Sequence, residues 1–325
     1  MIRGMLIRYS VALGILGGLA LSPCEGAEPE PAAPSAKLNP CFYPEPVAKP
    51  GYVLSKERIG ERGVAAYVLS ADKPDTGRRP AVILIHGGGA LDPLTTPKPQ
   101  YKGEWFIPYY DYIPYRLAEA GMLVIAIDAW WAGERFTEDI LKLGEMEPAV
   151  ALIKGWSETA EDVPRVIDYL LARDDVDPDR IGVAGKSGGG IVSLMAACKE
   201  DRIEAVVAWK AGADFVEVTR LRGQSALMDA AFENAPGFRH ELERVDPIHQ
   251  YQGIPSIAVA FIGNHDDPLM PCQGAEALYA KLLPLYEQHT ERLLLRLFET
   301  SEPTHDLQRE AFELGCAWLE KHLGR

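Results

Sequence analysis

Ser187 is the residue of this sequence whose surroundings best suit covalent chemistry. It stands in the run GKSGG at positions 185–189, which fits the pattern G-x-S-x-G. In that pattern the serine lies on a strained turn between a strand and a helix and exposes its hydroxyl. A hydroxyl held in this way can attack a carbonyl carbon once a neighbouring base takes its proton. The pattern therefore predicts a strand that ends near residue 186, a nucleophilic Ser187 and a helix that follows.

A phosphate-binding loop is a competing interpretation of the same letters, because Gly-Lys-Ser also ends that motif. The full motif is G-x-x-x-x-G-K-[ST], and it requires a glycine at the position that Arg180 occupies. The motif is therefore incomplete. A plain glycine-rich turn between a strand and a helix stays an alternative, and partner residues elsewhere in the chain must decide.

An acid and a base follow two further predicted strands. The apolar run 257–262 precedes Asp266 and Asp267, and the apolar run 292–298 precedes His305. The carboxyl ends of parallel strands meet at one edge of a sheet, where open α/β sheets bind ligands. The chain thus has serine, then aspartate, then histidine, each after its own strand. This is the chain order of a hydrolase triad on such a sheet.

Another buried strand, predicted over residues 81–85, runs into the sequence HGGG at positions 86–89. Consecutive glycines let the backbone approach a ligand closely and leave N–H groups free to point at an anion. Taken alone, this segment could equally be a flexible loop.

These motifs together resemble the α/β-hydrolase superfamily over roughly residues 51–323, nearly all of the chain after its leader. The likeness is greatest to dienelactone-hydrolase and acetyl-xylan-esterase-like members, and to the related catalytic domains of prolyl-oligopeptidase-type peptidases. The resemblance implies an α/β fold with a mostly parallel central sheet of about eight strands, helices on both faces and a small lid insertion.

The resemblance also implies a role for each motif. Ser187 would be the nucleophile, His305 the general base and Asp267 the carboxylate that orients His305. The family's D-x-x-V-P loop selects Asp267, whereas counting from the family's usual glycine selects Asp266. The oxyanion hole would consist of backbone N–H groups at Gly88 and Gly188. The dienelactone hydrolases use cysteine as nucleophile, so Ser187 argues against that particular reaction while ester hydrolysis remains expected.

Composition limits the partners. The chain has 325 residues, is 47% hydrophobic and has a formal net charge of -14. This length suits one large α/β domain. The negative charge disfavours nucleic acid and anionic membrane surfaces. No C-x-x-C or H-E-x-x-H spacing occurs, so neither a metal site nor a cofactor is expected.

The chain is expected to divide into three parts. Residues 1–27 have the layout of a signal peptide, with Arg3 and Arg8 before an apolar run that is too short to span a bilayer comfortably. Residues 28–50 are rich in proline and form a predicted linker. Residues 51–325 form the predicted catalytic domain, and 212–250 are a possible lid insertion.

Some finer expectations concern the surroundings of the site. Trp130 and Trp131 follow a predicted strand and could contact substrate, although packing in the core is the stronger alternative. Arg220 and Arg222 are among the side chains that could shape specificity in the insertion. Ser157 is predicted to begin a helix that runs toward Ala172, since Ser or Thr followed by Glu suits a helix N-terminus.

The function expected from the sequence is that of an exported serine hydrolase, periplasmic or secreted. It would cleave a small carboxylic ester through an acyl-enzyme, with no stable membrane anchor after the signal peptide is removed. One alternative is a peptidase of the prolyl-oligopeptidase type. Another is a hydrolase-fold binding module without catalysis.

Overall fold

The computed structural model describes residues 46–73, 77–88, 112–135, 145–254 and 256–324. The predicted signal peptide at 1–27 and most of the predicted linker, residues 28–45, lie outside the described residues.

A single mixed sheet runs through the described part of the chain. Its strands are β1 (Tyr52–Ile59), β2 (Val64–Ala71), β3 (Arg79–Ile85), β4 (Leu123–Ile127), β5 (Val176–Lys186), β6 (Ala205–Trp209), β7 (Ala258–Asn264) and β8 (Leu293–Phe298). The spatial order is β1-β2-β4-β3-β5-β6-β7-β8. β1 pairs antiparallel with β2, β2 pairs antiparallel with β4, and all other pairs are parallel. The predicted eight-stranded, mostly parallel sheet is therefore confirmed.

The central strands are apolar throughout because both of their faces are covered. In β3, Ala81, Ile83 and Ile85 belong to the core on one face, whereas Val82 and Leu84 belong to the core on the other. Successive side chains of a strand point to opposite faces, so a strand inside two layers of helices cannot show polar alternation. This is why a continuous apolar run predicted β3 correctly.

The described α-helices are α1 (Tyr112–Glu119), α2 (Pro148–Ala160), α3 (Val163–Leu171), α4 (Gly188–Ala197), α5 (Phe215–Leu221), α6 (Ser225–Asn234), α7 (Phe238–Val245), α8 (Pro247–Gln250), α9 (Gln273–Leu282) and α10 (Arg309–Leu323). α1 and α10 contribute to the core on one face of the sheet. The other helices contribute to the core on the opposite face. No helix within the described ranges is long and apolar enough to cross a membrane.

The helix predicted to begin at Ser157 is wrong in its boundaries. Ser157 lies inside α2, which begins at Pro148, and a second helix, α3, begins at Val163. The cause is Pro164, whose missing N–H and fixed φ suit the first turn of a helix and not its interior. The break between the two helices therefore lies just before that proline.

The interval predicted as an insertion is helical and contains α5 to α8. Asp246 lies near the end of this insertion, and its buried carboxylate binds residues at the beginning of the insertion. Asp246 accepts hydrogen bonds from the backbone N–H groups of Asp214, Phe215 and Ile248, with Phe215 nearest at 2.7 Å. One side chain thus fixes both ends of the insertion against each other.

Candidate active site

Ser187 occupies the turn between β5 and α4 in a backbone conformation that serine rarely adopts, with φ 56° and ψ −121°. Its N–H donates to the carbonyl oxygen of Trp209 at 2.7 Å, so the turn is fastened to the end of the neighbouring strand β6. A residue held at positive φ in this way is strained. The structure therefore places Ser187 on the strained strand-to-helix turn that the G-x-S-x-G pattern predicts.

The two outer glycines of the pattern are required by close packing. A Cβ atom on Gly185 would lie 2.3 Å from the carbonyl carbon of Gly189, and one on Gly189 would lie 2.1 Å from the carbonyl oxygen of Ile85. No side chain fits at either position without moving the backbone. The turn can therefore be this sharp only with glycine on both sides.

The turn at residues 86–88 packs directly on Ser187 and its neighbour. A Cβ atom on Gly87 would lie 3.6 Å from the Cβ atom of Ser187, and one on Gly188 would lie 1.9 Å from the carbonyl oxygen of Gly88. The indole N–H of Trp156 donates to that same oxygen at 3.3 Å. Gly88 and Gly188, the predicted oxyanion residues, therefore lie side by side next to Ser187.

His86 holds this turn in place. Its Nε2 accepts a hydrogen bond from the Ala129 N–H at 2.9 Å, so the proton of the neutral ring is on Nδ1, which lies 2.8 Å from the carbonyl oxygen of Gly87. The ring is buried and contacts Trp131 edge-on. His86 thus connects the turn to the loop after β4.

Asp267 and His305 form a close pair at the same edge of the sheet. His305 Nδ1 lies 2.9 Å from Asp267 Oδ2 and 3.0 Å from Oδ1. Asp267 is buried, whereas the other candidate, Asp266, is exposed. The backbone N–H groups of Leu269 and Met270 each donate to Asp267 Oδ1 at 2.9 Å. Of the two aspartates that the sequence left open, Asp267 therefore lies against His305.

A third charged group, Lys210, is part of this cluster and was missed in the sequence. Its ammonium group is fully buried, lies 3.0 Å from Asp267 Oδ2 and donates to the carbonyl oxygen of Thr304 at 2.6 Å. Lys210 has φ 50° and follows directly after the apolar strand β6. The sequence did contain one signal for Lys210. It is a lone lysine immediately after a fully apolar strand, at the sheet edge where Ser187, Asp267 and His305 also lie.

The loop that carries His305 is held from two strands. Lys210, at the end of β6, binds the Thr304 carbonyl. The side-chain amide of Asn264, the last residue of β7, donates to the carbonyl oxygens of Thr304 at 3.3 Å and Asp306 at 3.0 Å. His305 therefore lies between two residues whose backbone carbonyls are fixed.

Burial and charge determine the protonation of this cluster. Burial lowers the pKa of His305, and the positive charges of Lys186 and Lys210 lower it further, while the contact with Asp267 opposes them. Burial alone would raise the pKa of Asp267. Other contributions outweigh burial and hold the pKa of Asp267 below its usual value. They are the hydrogen bond and charge of His305, the charge of Lys210 and the hydrogen bond from the Met270 N–H. A neutral imidazole beside an ionised carboxylate is the state in which a histidine can accept a proton.

An apolar pocket of about 540 Å³, its open mouth included, lies beside the cluster. Its walls come from α2, α4, α5 and α6, with Trp156, Phe215 and Met228 among its apolar side chains. Ile191 and Met270 also line it. The Ile191 N–H bonds the Ser187 carbonyl, and the Met270 N–H bonds Asp267. The pocket therefore lies close to the turn that carries Ser187 and to the loop that carries Asp267.

The remaining candidate residues near the site lie as follows. Trp131 is buried in the core, and Trp130 is half-buried and packs against it, so the structure favours the packing role for both. Lys186 is largely buried and acts electrostatically on His305 and Lys210. Within the described ranges, no three His, Cys, Asp or Glu side chains could together hold a metal ion.

Solved structures share this fold. A puromycin-hydrolyzing peptidase of Mycobacterium tuberculosis superimposes with a TM-score of 0.62 at 19% identity, over 83% of this chain and 39% of the peptidase. Acetyl xylan esterase 1 of Thermoanaerobacterium sp. JW/SL YS485 superimposes with a TM-score of 0.55 at 19% identity, over 86% of this chain and 89% of the esterase. The protein has the α/β-hydrolase fold, as its motifs predicted.

The sequence profile of the prolyl oligopeptidase family matches residues 153–325, more than half of the chain. Ser187, Asp267 and His305 all lie within the matched range. The chain therefore belongs to the prolyl oligopeptidase family, a family of serine hydrolases.

Two curated relatives come from Bacillus subtilis (strain 168). YtaP, which is named as a hydrolase, is 32% identical over 160 residues, or 46% of this chain and 48% of YtaP. YitV, which is named as an esterase, is 26% identical over 222 residues, or 65% of this chain and 83% of YitV. The match to YtaP thus spans about half the length of that relative.

Proposed function

We propose that this protein is a serine hydrolase that cleaves carboxylic esters through an acyl-enzyme. The observation that carries the proposal is the Asp267–His305 pair, which lies at the same sheet edge as Ser187 on its strained turn. Nucleophile, base and orienting carboxylate are the three groups that acyl transfer at a serine requires.

In the proposed reaction, Ser187 Oγ attacks the ester carbonyl while His305 Nε2 accepts the hydroxyl proton. Asp267 accepts the hydrogen bond from Nδ1–H and thereby keeps Nε2 available. The negative oxygen of the tetrahedral intermediate is stabilised by the N–H groups of Gly88 and Gly188. His305 then donates its proton to the departing alcohol. Water repeats the sequence on the acyl-enzyme and releases the acid.

An ester is the substrate class that we favour, and two observations support it. YitV, which matches over 83% of its own length, is named as an esterase. The pocket close to the Ser187 turn is lined mostly by apolar side chains, which suit an acyl group. Peptide hydrolysis is the second candidate, because the family to which the chain belongs is that of prolyl oligopeptidase.

Hydrolysis of p-nitrophenyl acetate and butyrate, compared with that of prolyl and alanyl p-nitroanilides, separates the two candidates. We expect the esters to be hydrolysed and Ser187→Ala to lower kcat by at least about 1,000-fold. Ser55→Ala is the matched control, since Ser55 is exposed on the edge strand β1. Serine-dependent turnover of anilides above that of esters would favour the peptidase. Turnover of neither class by the folded protein would contradict the proposal.

We also propose that the protein is exported, with residues 1–27 as signal peptide, 28–50 as linker and 51–325 as the catalytic unit with 212–250 as its lid. The leader pattern of two arginines before an apolar run supports export. Mass spectrometry of protein recovered from its native cells should find an N-terminus near residue 27. Recovery of the intact leader from the cytoplasm would contradict this assignment.

A further inference from the structure

Trp156, a residue of α2, contacts both the apolar pocket and the turn at residues 86–88. Its ring lines the pocket and packs against Phe215 of the insertion, with 5.4 Å between the ring centroids. Its indole N–H donates to the carbonyl oxygen of Gly88 at 3.3 Å. Trp156 therefore connects the wall of the pocket to one of the two residues whose N–H groups are expected to stabilise the oxyanion.

The contact between Trp156 and Gly88 is closed off by the turn that carries the nucleophile. A Cβ atom on Gly188 would lie 1.9 Å from the Gly88 carbonyl oxygen and 2.9 Å from Trp156 Nε1. The indole nitrogen, this carbonyl oxygen and the backbone of Gly188 are therefore packed directly against one another. A side chain at position 188 would separate them.

Gly88 requires such restraints, because glycine has little conformational preference of its own. It has φ 93° and lies within three consecutive glycines. His86 restrains the peptide before it, since the Nδ1–H donates to the Gly87 carbonyl oxygen at 2.8 Å. A peptide unit is planar, so this bond also restrains the direction of the Gly88 N–H. Trp156 restrains the carbonyl group of Gly88 itself, and the residue is thus held on both sides.

Both restraints are attached to the loop after β4. The Ala129 N–H donates to His86 Nε2 at 2.9 Å, and the Trp130 N–H donates to Thr159 Oγ1 at 3.0 Å. Thr159 belongs to α2, the helix that also carries the indole. Two consecutive N–H groups therefore fix the histidine and the helix that hold the turn at residues 86–88.

We propose that Trp156 is a positioning residue for the oxyanion hole. Its indole N–H holds Gly88 so that the Gly88 N–H faces the oxygen that becomes negative when Ser187 attacks. Hydrogen-bond donors stabilise that charge most when their directions are fixed before the reaction. Trp156 acts through Gly88 and does not touch the reacting atoms. This inference rests on the proposed ester hydrolysis and adds a residue to its machinery.

Trp156→Phe tests the role, because it keeps an aromatic ring in the pocket wall and removes the N–H. Loss of a whole oxyanion donor lowers kcat by about 100- to 1,000-fold, and a displaced donor should cost less. We expect kcat for p-nitrophenyl butyrate to fall by about 10- to 100-fold and KM to change by less than about twofold, since the lost interaction is made in the transition state.

Trp318→Phe is the matched control. Trp156 and Trp318 are 8% and 7% exposed, and the Trp318 indole N–H also donates to a backbone carbonyl, that of Ala258, at 3.4 Å. Trp318 belongs to the core on the opposite face of the sheet. The same substitution there should leave kcat within about twofold of the wild-type value.

Inhibition by butane-1-boronic acid separates positioning from a general loss of structure. Ser187 Oγ bonds to boron, His305 takes the hydroxyl proton, and the tetrahedral boronate presents a B–OH group where the oxyanion forms. We expect Trp156→Phe to raise the Ki by about the factor by which kcat/KM falls, because the adduct resembles the transition state. Trp318→Phe should leave the Ki unchanged.

Three results would overturn the role of Trp156. They are a kcat loss no greater than that of Trp318→Phe, a change in KM alone, and a Ki for the boronic acid that does not change in Trp156→Phe. Failure of the proposed function has a different signature, namely that the wild-type protein shows no ester turnover that depends on Ser187. The comparison of boronic acid inhibition then still decides the role of Trp156.

Discussion

At the scale of single residues, the site depends on charges that are buried together. Asp267 accepts hydrogen bonds from His305 and from two backbone N–H groups, and Lys210 lies 3.0 Å from its second oxygen. Removing a single partner from such a cluster leaves the others desolvated and uncompensated. The protonation and the position of His305 are therefore both sensitive to its neighbours.

The pH dependence of hydrolysis should show the lowered pKa of His305. The base must be neutral to accept the Ser187 proton, and burial together with Lys186 and Lys210 favours the neutral ring. Activity should therefore persist below the ordinary histidine pKa of 6.5 and fall only at more acidic pH. A profile of kcat/KM against pH checks this. An acidic limb centred at or above the ordinary value would contradict it.

Lys210→Met should weaken catalysis by misplacing Asp267 and the His305 loop, because Lys210 contacts both Asp267 and the Thr304 carbonyl. We expect kcat to fall on the order of 10- to 100-fold. Removing the nearby positive charge should also move the acidic limb of the kcat/KM profile to higher pH.

Lys199→Met is the control for Lys210→Met, since Lys199 is exposed just after α4. It should change neither kcat nor the pH profile. Lys210 would have a structural role only if the activity of Lys210→Met fell in proportion to the fraction of unfolded protein and the acidic limb of its kcat/KM profile did not move.

The residues differ in how far the sequence could predict them. Ser187 was predicted from glycine spacing, because close packing permits only glycine at 185 and 189. Choosing between Asp266 and Asp267 required three-dimensional placement, since adjacent residues in a loop point in different directions. Lys210 was missed because lysine is usually solvated, and only the geometry brings it against Asp267.

At the scale of elements, the helical insertion forms one wall of the pocket, and the buried carboxylate of Asp246 fixes its ends. Phe215, Thr219 and Met228 come from its helices and line the pocket. Asp246 fixes the start of α5 through the N–H groups of Asp214 and Phe215. The shape of the pocket is therefore linked to a carboxylate outside it.

Asp246→Ala should leave buried N–H groups without an acceptor and lower the free energy of unfolding by roughly 1–3 kcal/mol. Because the insertion forms part of the pocket wall, KM for esters should rise as well. Urea unfolding and steady-state kinetics measure the two effects. Asp246→Asn keeps one acceptor oxygen, so its free energy of unfolding should fall less than that of Asp246→Ala. Asp229 is exposed on α6, and Asp229→Ala should leave the free energy of unfolding nearly unchanged. Equal stability of Asp246→Ala and Asp229→Ala would contradict this role.

Elements were predicted best where the apolar pattern was continuous. The buried strands β3 and β7 were found as uninterrupted apolar runs over 81–85 and 257–262, whereas β5 begins at Val176, ahead of the apolar part that leads to Ser187. Helix boundaries were less well predicted, since Ser157 beside glutamate resembles a helix start although it lies within α2. Tertiary packing of α2 against α4 and the insertion outweighs that local signal.

At the scale of the whole molecule, parallel strands bring distant residues to one edge. β5, β6, β7 and β8 are consecutive neighbours, so the ends that carry Ser187, Lys210, Asp267 and His305 follow one another across the sheet. The sequence predicted this gathering because chain order and strand direction suffice for it. The pocket could not be predicted, because it depends on how the insertion folds back against α2 and α4.

A buried ion pair next to the carboxyl end of β4 joins three separate parts of the fold. Asp162, which precedes α3, is fully buried and pairs with Arg135 after β4, and Arg62 in the β1–β2 turn lies 3.3 Å from it. Asp162→Ala should lower the free energy of unfolding by about 3–5 kcal/mol, because the buried Arg135 loses its carboxylate partner in a low-dielectric region, whereas Arg62 keeps Glu158.

The control for Asp162→Ala is Asp168→Ala, whose carboxylate is exposed and paired with Arg202. That change should cost less than about 1 kcal/mol. Guanidinium unfolding compares the two variants. If Asp162→Ala lowered the free energy of unfolding no more than Asp168→Ala does, the buried pair would not hold the three parts together.

Covalent labelling by a fluorophosphonate tests the central assignment of Ser187 and His305 most directly, with the adduct located by peptide mass spectrometry. We predict one adduct on Ser187, none in Ser187→Ala, and labelling slowed by at least about 100-fold in His305→Ala. Labelling at another residue, no labelling of the folded protein, or a rate that does not change in His305→Ala would contradict the account.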